Sequence, residues 1–267
     1  MQEAGDTIPL TRAQPAKRGG KMAGLALVEE VPVWLEVNGE PTVTWMCTPD
    51  QLEELAIGWL YGEGYIRSLA DLKKLRPCAT DLGFWAEVDP ALVQEVKRDN
   101  RQRVLASGCG AVTTFLADPS ASPSVAAGKE PPEPARLREL FKELFARGER
   151  YKTTGGIHAA ALTDGDRLLH HAEDIGRHNA VDKVIGAALL ARHELAGLGL
   201  LVTGRISAEL AFKAARAGIA YVATPSVPSS LAAEIARRAG MVLVGRAVSG
   251  QPHLHLPLAV DGSRSSG

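Results

Sequence analysis

Apolar and polar positions change period repeatedly along the chain. Residues 31–36 and 42–47 read as strands, and Asn38-Gly39 between them tolerates the positive φ of a tight hairpin. From Thr48-Pro49 the spacing lengthens. Leu52, Leu55, Ala56 and Leu60 fall on one side of a helix with Trp59 beside them. Thr48 is expected to cap that helix, Pro49 to take its first position and Gln51 to close a capping box. Gly58 lowers helix propensity there and marks a place for close packing.

Five prolines (Pro119, Pro123, Pro131, Pro132, Pro134) argue against a regular element just before residue 135. A helix over 135–146 follows, with Leu137, Leu140, Phe141 and Phe145 as its apolar stripe. Beyond it strands and helices alternate. Strands are expected at 158–162 and 168–171, joined by a turn at Asp164-Gly165, and again at 198–202, 219–223 and 241–244. Helices are expected at 179–192, 207–217 and 228–238. Short apolar strands between such helices indicate a layered α/β/α domain. The expected organisation is a flexible leader (1–24), a small N-terminal α+β unit with a cysteine loop (25–116), a linker or mobile loop (117–134), the α/β domain (135–255) and a flexible tail (256–267).

Composition narrows the function classes. The 267 residues include 45% hydrophobic positions, enough for a sizeable core. Thirty Lys and Arg balance 31 Asp and Glu, unlike a polycationic nucleic-acid binder. Three widely spaced cysteines, Cys47, Cys78 and Cys109, do not form a disulfide framework, which points to a reducing, cytoplasmic setting. The opening MQEAGDTIPL lacks the apolar core of a secretory signal, and no apolar run is long enough to span a membrane.

Candidate chemistry gathers in a few places. Cys109 stands between two glycines in Ala106-Ser107-Gly108-Cys109-Gly110, a setting that presents sulfur for nucleophilic attack or persulfide carriage. The same residue would also serve to fill a small apolar site beside a turn. Cys47 and Cys78 read as structural. The densest polar cluster, 173–183, runs Glu-Asp-Ile-Gly-Arg-His-Asn-Ala-Val-Asp-Lys from a strand end into a helix. There Arg177 can clamp phosphate, His178 can move a proton or bond a base, and Asn179 lies in the first turn. A polar capping network with an i,i+4 pair between His178 and Asp182 is the plainer alternative. Gly155 and Gly156 give a ligand access to the main chain ahead of His158. Arg205 with Ser207, and Ser226, occupy two further strand-to-helix junctions, where ordinary helix capping competes with anion binding. In an open sheet such junctions share one edge, and ligands bind there. P-loop, GxGxxG, HExxH, CxxC and Gly-x-Ser-x-Gly patterns are all absent, so neither a P-loop nucleotidase nor a zinc site, structural or catalytic, is expected.

These motifs resemble the FdhD/NarQ family of formate dehydrogenase accessory sulfurtransferases. The likeness rests on Glu36-Val37-Asn38-Gly39, on the 54–60 run Glu-Leu-Ala-Ile-Gly-Trp-Leu, and on Ser107-Gly108-Cys109-Gly110. It continues through Thr154-Gly155-Gly156-Ile157-His158, the 173–183 cluster, Gly204-Arg205-Ile206-Ser207 and the Ser226-Val227-Pro228-Ser229-Ser230 stretch. The resemblance implies a sulfur carrier. It would accept persulfide sulfur from a cysteine desulfurase on Cys109 and pass it to a molybdenum or tungsten bis-guanine-dinucleotide cofactor for formate dehydrogenase. It also implies a main domain similar to the cytidine deaminase fold, a homodimer, and cofactor contacts from Gly155, Gly156, His158, Arg177, His178, Asn179, Arg205, Ser207, Ser226, Gly245 and Arg246.

Two departures stand out. Many family members carry a second loop cysteine where this chain has Val112, so no disulfide can close within the loop. The run Val244-Gly245-Arg246-Ala247 lacks the aromatic the family usually places after the last strand's glycine. A cofactor-binding chaperone that delivers the cofactor without sulfur transfer is therefore the alternative reading.

Overall fold

The computed structural model describes residues 26–98, 102–105, 112–115, 125 and 130–256. The first unit is a four-stranded sheet in the order β2-β1-β4-β3, backed by two helices. Its elements are β1 (Val31–Val37), β2 (Glu40–Cys47), α1 (Leu52–Glu63), β3 (Leu72–Pro77), β4 (Gly83–Val88) and α2 (Pro90–Arg98). Val33, Leu35 and Val37 alternate inward along β1 and meet Leu55, Ala56 and Leu60 of α1. The expected hairpin is present, with Asn38 at φ 50° and Gly39 at φ 83°. The Asn38 amide also bonds both backbone groups of Val88, at 2.9 and 3.2 Å, so the turn is tied to the end of β4. Two short strands, β5 (Gln102–Leu105) and β6 (Val112–Phe115), pair antiparallel.

The second unit continues with α3 (Pro134–Arg147), α4 (Glu149–Thr154), β7 (His158–Thr163), β8 (Leu168–Asp174) and α5 (Arg177–Leu190). It closes with β9 (Gly199–Val202), α6 (Ala208–Arg216), β10 (Tyr221–Ala223), α7 (Ser230–Ala239), β11 (Val242–Gly245) and β12 (His253–His255). Its six-stranded sheet has the order β12-β11-β10-β9-β7-β8. Alternate strand residues face opposite ways. Ala160, Leu162, Leu200, Val202, Val222 and Leu243 pack with α5, α6 and α7 on one face. Ala161, Leu201, Tyr221 and Val244 pack with Leu137, Leu140, Phe141 and Leu144 of α3 on the other. The chain is thus a mixed α/β fold with two main sheets, layered as the alternation of elements predicts. Val125 is buried against α7, and its amide donates to the Ala239 carbonyl at 2.6 Å.

Several expectations need correction. Helix α1 begins three residues late, because Gln51 takes a left-handed turn (φ 48°) and Thr48 is engaged elsewhere. In α3 the fourth buried position is Leu144, whereas Phe145 is 45% exposed; the stripe turns with the 3.6-residue period. β3 and β12 have no clear apolar period: β3 carries Lys73, Lys74 and Arg76, and β12 is exposed throughout, whereas β4 buries Phe84, Ala86 and Val88 and α2 buries Leu92, Val93 and Val96.

The two units meet through α1 and α5. A Cβ on Gly58 would lie 1.9 Å from the Asp182 carbonyl oxygen, and one on Gly186 would lie 1.9 Å from that of Glu54. The helices therefore touch backbone to backbone, as Gly58 in the middle of α1 suggests. Gly58→Ala should destabilise the protein by about 2 kcal/mol or more through overpacking, read from the urea unfolding midpoint. An unchanged midpoint would mean that the helices separate freely.

Candidate functional site

Strands β8 and β9 both run antiparallel to β7, and β9, β10 and β11 are mutually parallel. The C-terminal ends of β8, β9, β10 and β11 therefore lie on one edge, together with the start of β7. Every expected ligand-contact residue sits on that edge: Gly155, Gly156 and His158 before or at β7, Arg177 to Asn179 after β8, Arg205 and Ser207 after β9, Ser226 after β10, and Gly245 and Arg246 at the end of β11. Helices α5, α6 and α7 start there as well, with 14, 9 and 10 residues. Their free amides make the edge favourable to anions.

Arg177, His178 and His158 converge at its centre. Arg177 and His178 are buried and His158 is half-buried. A Cβ on Gly204 would lie 3.3 Å from both Arg177 Cδ and the His158 ring, so the absence of a side chain there lets the two approach. His178 Nε2 lies 3.1 Å from Ser207 Oγ and 3.4 Å from Glu209 Oε2. Ser207 caps α6 through Leu210 N. Gly155, Gly156, Arg205 and Arg246 form an exposed rim. Arg246 is held at φ 51°, with its amide donating to Ser226 O at 2.7 Å.

Much of the 173–183 cluster is structural wiring. Lys183 is fully buried and meets Asp174 Oδ2 at 2.8 Å, Asp50 Oδ1 at 2.7 Å and Thr48 O at 3.0 Å. Asp174 also accepts from the backbone amides of Thr48 and Gly176 and from the Asn179 amide. Asn179 Nδ2 donates to Met46 O as well, so this amide is committed to holding β2 against the turn. The Glu173 carboxylate accepts from the amides of Arg150 and Tyr151 at the start of α4. Asp182 does not pair with His178. It binds Lys213 at 2.6 and 2.8 Å, and burial pushes its carboxyl up, to about 6, against the pull of the Lys213 ammonium. Sequence reasoning missed Asp50 and Glu209, and gave Thr48 to helix capping where it joins the Asp174–Lys183 network. They sit far along the chain or inside helices, and only the tertiary fold brings them here.

The cysteines differ sharply. Burial, with Asp174 adding to it, pushes the Cys47 thiol up to about 12 and makes it inert. Cys78 is partly exposed, and contact with the Thr80 hydroxyl, 3.4 Å away, holds its thiol below the usual range. Cys109 lies outside the described residues. Among the described residues no group of three or more His, Cys, Asp or Glu side chains is placed to hold a metal ion, and no helix is long and apolar enough to cross a membrane.

The FdhD/NarQ family model matches residues 28–255. The chain belongs to the FdhD/NarQ family. It is 40% identical over 234 residues to the sulfur carrier protein FdhD of Burkholderia mallei, covering 81% of this chain and 83% of that one. It is 35% identical over 223 residues to the sulfur carrier protein FdhD of Bacillus subtilis, covering 82% and 84%. Its fold matches the crystal structure of a putative formate dehydrogenase accessory protein from Desulfotalea psychrophila with a TM-score of 0.69, at 24% identity over 87% of this chain and 89% of that one. Within this family frame, the 154–158, 173–183, 204–207 and 226–230 motifs fall on the sheet edge, the 54–60 run falls on the α1–α5 contact, Glu36 to Gly39 form the β1–β2 hairpin, and the Cys109 motif lies outside the described residues.

Two expectations follow. Lys183→Met leaves a buried carboxylate without its cation and should cost about 3–5 kcal/mol in urea unfolding; a loss below about 1 kcal/mol would show that the pair is not needed. Burial holds His158, His170, His171 and His178 below the usual 6.5, His178 down to about 3. The fold thus resists protonation that the unfolded chain accepts. The histidine contribution to stability is complete above pH 6.5 and declines as pH falls from there toward about 3, while the raised Asp182 carboxyl offsets part of it below about 6. The melting temperature should drop between pH 7 and pH 5, while the His178 ring resonance in NMR keeps its neutral position. Titration of that resonance near 6.5 would contradict the buried, uncharged state.

Proposed function

We propose that this chain is a sulfur carrier. It accepts persulfide sulfur on Cys109 from a cysteine desulfurase and passes it to a molybdenum or tungsten bis-guanine-dinucleotide cofactor destined for formate dehydrogenase. The observation that supports this best is family membership across residues 28–255, joined to the convergence of Arg177, His178 and three helix starts on one sheet edge. In this reading the phosphates of the substrate cofactor meet Arg177, Arg205 and Arg246, the glycines Gly155, Gly156 and Gly245 let it approach the main chain, and His158, His178, Ser207 and Ser226 line its path, while Asn179 holds the turn behind them. His178, neutral at physiological pH, supplies a hydrogen bond and not a proton. The protein acts in the cytoplasm as a homodimer. The six-stranded layered sheet supports kinship with the cytidine deaminase fold.

In the loading step the Cys109 thiolate attacks the outer sulfur of the desulfurase persulfide. A new S–S bond forms, the donor's S–S bond breaks, and the donor cysteine leaves as thiolate. Delivering that sulfur as sulfide takes two electrons. Val112 offers no second thiol to supply them from within the loop, so they come from an external thiol or from the reduced cofactor metal.

Incubation with a cysteine desulfurase and cysteine, followed by intact mass and peptide mapping, should show one reductant-labile sulfur on Cys109. Cys109→Ala should abolish it and leave the melting temperature unchanged. Sulfur found on Cys78 instead would overturn the assignment. No gain of sulfur by a protein that still binds the cofactor would favour the delivery chaperone, the reading that Val112 in place of a second cysteine supports.

A further inference from the structure

Thr224 directly follows β10 and is fully buried. Each of its polar atoms is used. Its amide donates to Val244 O at 2.9 Å, and its carbonyl accepts from Ala247 N at 2.9 Å. Its hydroxyl donates to Gly204 O at 2.7 Å and accepts from Ser226 N at 3.0 Å. One side chain therefore connects the loop after β9, which carries Arg205 and Ser207, with the loop after β10. Its main chain adds the end of β11 and the loop carrying Arg246. Thr203, the comparable residue after β9, behaves differently. Among the described residues its hydroxyl bonds the amide and carbonyl of Ala159 on the neighbouring strand, which extends the sheet and does not join the loops.

We propose that Thr224 is a positioning residue for the anion site, its hydroxyl setting the spacing between the loops that bring basic groups to the sheet edge. This rests on reading that edge as the nucleotide site. Joining a carbonyl to an amide through one side-chain atom requires a group that donates and accepts at once, and in this space only a serine or threonine hydroxyl does so. Valine has the same shape and neither capacity. It would leave the Gly204 carbonyl and the Ser226 amide without these partners and free the two loops to drift. Gly204 is the residue against which Arg177 and His158 pack, so a shift there reaches the centre of the site.

The test uses the full chain and guanosine diphosphate, half of the proposed dinucleotide, as the calorimetric probe. Four proteins are compared: the natural sequence, Arg177→Ala, Thr224→Val and Thr224→Ser. Thr224→Val should weaken binding about 10-fold or more, and Thr224→Ser should bind within about 2-fold of the natural protein. A serine variant as weak as the valine variant would overturn the proposal, because a merely structural role of the threonine methyl would then explain the loss. If Thr224→Val does not fold, Thr224→Ala takes its place and is read against serine in the same way. The site reading fails separately, if the natural protein does not bind the probe or Arg177→Ala binds it equally well. Weakening by Arg177→Ala with none by Thr224→Val leaves the site standing and removes Thr224 from it.

Discussion

A buried ammonium is stable only where its charge is answered, and Lys183 is answered from three directions. Asp174 comes from the end of β8, Asp50 from the segment before α1, and the Thr48 carbonyl from the end of β2. The desolvation cost of such a pair is large, and geometry of this quality is needed to offset it. Satisfying Lys183 therefore requires the two sheets to be docked in one relative position. Asp174 in turn fixes the turn at Gly176, from which α5 starts with Arg177 and His178. The charge network that joins the units is the same one that aims the first turn of the site.

Around that anchor the anion-favouring character of the edge is cumulative. Several helix starts point the same way because their strands are parallel, and parallel strands linked by helices place every crossover on the same side. The basic side chains add to a field that the backbone already supplies. Burial holds the His158 and His178 rings toward the neutral form, so the positive character rests on the arginines.

The layered domain was legible because its strands are short apolar runs and its helices carry clear stripes. The α5 junction was legible from the density of polar residues between Glu173 and Lys183. What each of those residues does was not. Asp174, Lys183 and Asn179 look like ligand groups in a linear reading, yet their partners are Thr48, Asp50 and Met46, more than a hundred positions away. The pairing of His178 with Asp182 was a reasonable helix-surface inference. It failed because α5 is buried on nearly all sides, and Asp182 turns toward Lys213 of α6. β3 and β12 escaped notice because β3 carries charged, solvated positions and β12 is exposed throughout, which removes the apolar run that marks a central strand.

The loops after β9 and β10 are also bonded to each other. Ile206 N donates to Val227 O at 3.2 Å and Ser229 N to Ile206 O at 2.9 Å, a miniature parallel ladder between Ile206 and Pro228. The lengths of these two connections are consequently interdependent. An insertion in one slides the ladder out of register unless the other lengthens to match. Relatives that enlarge this rim would have to alter both loops together.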